Sequence, residues 1–69
     1  MTDTQYLEEM IIKSGKKKSY LAERINLSRA GFLRKCKGIG EFTASEIKIL
    51  CEELDITDLS VKEAIFFAL

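Results

Sequence analysis

The sequence predicts an all-α fold of five short helices, and three observations carry that expectation. The 69 residues contain no proline and only four glycines, so no ring breaks a helix from within, and Gly15 and Gly38 stand where helices would end. Apolar residues recur at i, i+3, i+4 and i+7, most regularly as Ile47, Leu50, Cys51 and Leu54, which is one stripe of an amphipathic helix. Ser28 and the pair Thr43 and Glu46 stand just ahead of such stripes, where their side chains can take up the first free backbone N–H groups. A chain this short forms one domain and buries only about 60% of the surface its unfolded form exposes.

The first helix is expected from about Asp3 to Ser14, with Tyr6, Leu7, Met10 and Ile11 on one face and Gly15 as its stop. A second covers roughly Lys18 to Ile25 and buries Leu21, Ala22 and Ile25. Asn26-Leu27-Ser28 reads as a tight turn, and Ser28 caps a third helix that runs to about Lys37 and ends at Gly38. The loop Gly38-Ile39-Gly40-Glu41-Phe42 leads to the Thr43 and Glu46 capping box and the fourth helix. A second box, Ser60 with Glu63, is expected to start a final helix over about 60–67.

The net charge of zero hides a strong segregation. Lys13, Lys16, Lys17, Lys18, Arg24, Arg29, Arg34, Lys35 and Lys37 face only one acid, Glu23, so residues 13–37 carry +8. Residues 1–12 carry −3 and residues 41–69 carry −5. A local basic stripe, not the total, is what a phosphate backbone senses. The longest apolar run, Ala64 to Leu69, is far short of the roughly 20 residues of a membrane span, and no signal peptide is read. A cytoplasmic protein is expected. Cys36 and Cys51 are fifteen positions apart in a chain without histidine, which is no zinc site. They are expected as reduced core residues, with a disulfide left open.

Residues 18–37 have the layout of two helices joined by a three-residue turn. Ala22 is small where the two helices would cross, and Asn26 stands where the turn needs a left-handed backbone. With Phe32 and Cys36 facing inward and Leu33 at the edge, Arg29, Ala30, Arg34 and Lys37 fall on the outer side. Arginine matches guanine O6 and N7, and alanine a thymine methyl, so Arg29, Ala30 and Arg34 are the expected base readers. Lys17, Lys18, Ser19, Ser28, Lys37 and Thr43 are the expected phosphate contacts.

The stretch Lys18-Ser-Tyr-Leu-Ala22-Glu-Arg-Ile-Asn26-Leu-Ser-Arg-Ala-Gly-Phe32, closed by Lys37-Gly38, resembles the helix-turn-helix of the Cro and lambda-type repressor family. Glu41 to Ile47 and the ending Ile65-Phe-Phe67 resemble small phage and prophage regulators of Gram-positive bacteria within it. The resemblance spans nearly the whole chain. It implies a five-helix lambda-repressor-like domain, binding to a double-stranded operator as a dimer, and transcriptional repression or derepression. It also implies that Lys18 is a phosphate clamp where relatives often carry glutamine. Two departures stand out: Asn26 replaces a turn glycine, and Lys35 replaces an apolar residue, which implies a third helix slightly rotated or less tightly packed.

No catalytic constellation is present, and no cofactor, metal or small-molecule substrate is expected. Gly38-Ile39-Gly40 lacks the third glycine of a nucleotide fingerprint, because Thr43 stands there. The pairs Glu8-Glu9 and Glu52-Glu53 are expected as solvated helix surface. The apolar ending cannot all turn inward, so Ile65, Phe66, Phe67 and Leu69 are candidates for a protein interface, with Ile65 and Phe66 also suited to the core. The partner would be a second copy or a repressor protein. The leading expectation is a DNA-binding regulator; the alternative is an anti-repressor that keeps the same fold and acts on a repressor.

Overall fold

A computed structural model describes residues 1–69, in five helices and no strand. They are α1 (Thr4–Ser14), α2 (Lys18–Arg24), α3 (Arg29–Cys36), α4 (Ala44–Glu53) and α5 (Leu59–Phe66). The helix starts follow the local chemistry. Asp3 accepts from the Tyr6 N–H, Ser28 from the Gly31 N–H, and Thr43 and Glu46 form the reciprocal box. The fifth start corrects the sequence expectation. Asp58, not Ser60, caps α5: its carboxylate accepts both the backbone N–H of Ser60, at 2.8 Å, and the Ser60 hydroxyl, at 2.7 Å. A carboxylate is the stronger acceptor at a helix N-terminus, so the helix begins two residues early.

Three helices end in the same way. Asn26, Gly38 and Asp55 adopt left-handed backbone, at φ +61°, +86° and +56°. The following N–H groups of Leu27, Ile39 and Ile56 then reach back to the carbonyls of Ala22, Arg34 and Cys51 at 2.8–2.9 Å. This double hydrogen-bonded stop satisfies carbonyls that a helix end leaves free. Leu27 and Ile56 carry an apolar side chain from the stop back onto the core.

α2 packs on α3 and α4, and α1 on α3 and α5. The core is formed by Leu7 and Ile11 from α1, Leu21, Ala22 and Ile25 around α2, and Phe32 and Cys36 from α3. Ile47, Leu50, Cys51, Leu54 and Ile56 enter from α4 and its exit, and Ile65 and Phe66 from α5. Phe42, in the loop before α4, sits edge-on between Phe32 and Phe66, at ring-centroid distances of 6.1 and 5.9 Å. These edge-to-face contacts thread one aromatic chain from α3 to α5. The N-terminal segment is tied on by the Asp3 N–H, which donates to the Ile65 carbonyl at 2.6 Å. No helix is long and apolar enough to cross a membrane.

Candidate nucleic-acid interface

The α2–turn–α3 unit places the expected base readers together on open surface. Phe32 is fully buried and Cys36 nearly so, which fixes the rotation of α3 about its axis. Arg29, Ala30, Arg34 and Lys37 are then exposed. None of the three cations among them has an acidic partner within 4 Å. Arg29 and Ala30 occupy the first turn of α3, beside the exposed Ser28 cap. Gly31 leaves room for that cap, since a Cβ there would lie 3.1 Å from the Ser28 Oγ, close enough that the cap would have to give by a few tenths of an ångström.

The expected phosphate contacts divide into free and occupied groups. Lys17, Ser19 and Lys37 are exposed and carry no ion pair, and Lys17 caps α2 without a side-chain hydrogen bond. Thr43 is exposed, but its backbone N–H already donates to Glu46 Oε1 at 2.9 Å. Lys18 is turned elsewhere: its ammonium lies 2.8 Å from Glu8 Oε1 on α1. The phosphate clamp implied by the resemblance is thus paired with a half-exposed carboxylate of α1.

Four of the nine cations in residues 13–37 are neutralised inside the molecule. Besides Lys18, Lys16 reaches Glu53 at 2.9 Å, Arg24 reaches it at 2.8 Å, and Lys35 reaches Glu46 at 2.8 Å. Glu8 and Glu53, expected as plain solvated surface, are structural partners instead, whereas Glu9 and Glu52 do face solvent. Glu53 is a hub. It also accepts the Tyr20 hydroxyl at 3.1 Å, while Lys16 donates in addition to the Glu53 carbonyl at 2.7 Å. The hub ties the α1–α2 connection and α2 to the end of α4. Hydrogen bonds from Arg24 and Lys16 hold the Glu53 carboxyl down to about 2. At Glu46 burial acts upward, but the Lys35 ammonium and the Thr43 amide prevail and bring it below the ordinary range.

A carboxyl whose folded value is depressed contributes stability above its unfolded value, near 4.3, and loses it as pH falls toward the folded value. Melting points measured between about pH 5 and pH 2 should therefore fall more steeply for wild type than for Glu53→Gln. Parallel curves would show that the hub is not linked to folding.

The terminal helix corrects half of the interface expectation. Ile65 is fully buried and Phe66 is 2% exposed, so both belong to this chain's core and neither is accessible to a partner. An inward stripe at helical spacing takes only part of a consecutive apolar run. Phe67 and Leu69 remain on the surface, and Ile12 and Leu59 join them as exposed apolar side chains that the sequence did not single out. Cys36 and Cys51 are both buried and unpaired. Comparison with known proteins finds no matching family model, curated relative or solved structure.

Proposed function

We propose that the chain is a sequence-specific DNA-binding transcriptional regulator, in which α2, the Asn26 turn and α3 act as a helix-turn-helix and α3 enters the major groove. The observation that carries the proposal is the contrast in charge. Lys16, Lys18, Arg24 and Lys35 are neutralised by Glu8, Glu46 and Glu53, while Arg29, Arg34 and Lys37 stand exposed and unpaired along α3 and its end. Exposed arginine and lysine on one helix, beside a small Ala30, match what base edges and phosphates accept. Phe67 and Leu69 offer the apolar contact for a second copy, and a two-fold dimer would read half-sites about one helical turn apart.

The test is a salt titration of binding to a random duplex and to DNA from the chain's own promoter region. Specific binding that falls steeply with salt supports the proposal, since phosphate contacts release counterions. Lys37→Ala should weaken binding to every sequence about equally and lower the salt slope by about one. An unchanged slope would remove Lys37 from the phosphate contacts.

One observation favours a second reading. Pairing within the chain takes up four of the nine cations in residues 13–37, and Phe67 and Leu69 lie open. An anti-repressor that keeps this fold and binds a repressor protein would show weak, sequence-blind DNA binding and a tight complex only once the repressor is added.

A further inference from the structure

Lys35 departs from the other cations of α3. Its side chain is only 21% exposed, against the open Arg29 and Arg34, and its ammonium sits 5.9 Å from the Phe42 ring centroid. It ends 2.8 Å from Oε1 of Glu46, whose side chain is 12% exposed, and that same oxygen accepts the Thr43 N–H. The backbone of α3 packs mainly on α2 and α1. Lys35 and Glu46 thus supply a hydrogen-bonded link from the last turn of α3 to the first turn of α4, beside the Phe32–Phe42 contact. Where an apolar residue would only fill space, this link also fixes a separation, because a charge-assisted hydrogen bond is short and its acceptor is itself held in place by the Thr43 N–H.

We propose that Lys35 and Glu46 are positioning residues, whose ion pair sets the angle at which α3 presents Arg29, Ala30 and Arg34 to the groove without either side chain touching DNA. The inference rests on the DNA reading above. The competing assignment makes Lys35 a phosphate ligand that Glu46 holds back.

Two substitutions remove the charge pair and spare its surroundings. Lys35→Met keeps an apolar stem beside Phe42, and Glu46→Gln keeps an oxygen for the Thr43 N–H. Full-length wild type, both variants and the double variant would be titrated with two probes: a duplex that wild type selects from a random pool, and its scrambled version. Each single variant should lose about tenfold in affinity for the selected duplex, and the double variant no more than either alone, as expected of residues acting as a unit. Affinity for the scrambled duplex and its salt slope should not change. Tighter binding by Glu46→Gln to both duplexes, with a slope lowered by about one in Lys35→Met, would overturn the inference and make Lys35 a phosphate ligand. So would full affinity in both variants. Backbone amide shifts of the free proteins separate the two levels of the argument. Both variants should move the same resonances of α3, and unmoved resonances overturn positioning whatever the DNA result. If they move but wild type selects no duplex, the DNA reading fails and the inference fails with it.

Discussion

Phe32→Ala should cost about 3–5 kcal/mol of stability, the largest effect of any single change considered. Phe32 is fully buried at the centre of the contact between α3 and the Phe42 loop, and its ring meets that of Phe42 edge-on. Truncation removes the aromatic area and leaves a cavity that five short helices cannot close without moving α3. A chain of 69 residues has a total stability on the order of 3–10 kcal/mol. The variant should therefore be largely unfolded, or melt lower by about 12–40 °C, as followed by helical circular dichroism. Phe32→Leu, which refills much of the volume, should keep the fold at a smaller cost. A loss below about 1 kcal/mol in Phe32→Ala would mean that the aromatic chain from α3 to α5 is not the centre of the core.

Arg29→Ala should have the second largest effect, on binding in place of folding. Arg29 is exposed, unpaired and in the first turn of α3, so its removal should change stability by no more than about 0.5 kcal/mol. On the proposed DNA reading it should weaken operator binding by about 1–3 kcal/mol, roughly 5- to 150-fold, and relax the preference at one base position. Selection of duplexes from a random pool by wild type and variant measures both quantities. Operator affinity and preference that survive the substitution would remove Arg29 from the base readers.

Much of the fold is legible in the sequence because the signals that start and stop these helices are local. Gly15, Ser28, Asn26 and the Thr43–Glu46 box each act within four residues, and each stands in the structure as the sequence suggests. Asp58 left a trace of the same kind, since Asp and Ser are equally good caps and both stand ahead of the stripe, so the local signal alone does not choose between them. The stop at Asp55 left a comparable trace, an acidic residue of the kind that tolerates left-handed backbone, just before the apolar Ile56.

The charge network had no such trace. Lys18 meets Glu8 across 10 positions, Arg24 meets Glu53 across 29, and Lys16 meets Glu53 across 37. Those partnerships are decided by how α1, α2 and α4 pack, and helical periodicity carries no information about them. Of the nine cations in residues 13–37, the structure pairs four and leaves Lys13, Lys17, Arg29, Arg34 and Lys37 without an acidic partner. Lys35 shows the same point from the other side. A charge at an apolar position suggested loose packing, whereas its stem lies by Phe42 and its ammonium on Glu46.

The two buried cysteines give the molecule a chemical clock. Burial pushes the Cys36 thiol up to about 11, with a smaller downward pull from Lys18, and it raises Cys51 in the same direction. Only the thiolate attacks an alkylating reagent, so the raised value and the burial both keep Cys36 unreactive at neutral pH while the helices stay closed. Once α3 lifts away, the same thiol loses the desolvation that raises it and becomes more reactive. The pace of its modification therefore counts the openings of α3, and that of Cys51 the openings of α4. Each of the two helices that meet at the Lys35–Glu46 link thus carries its own reporter, without any label being added.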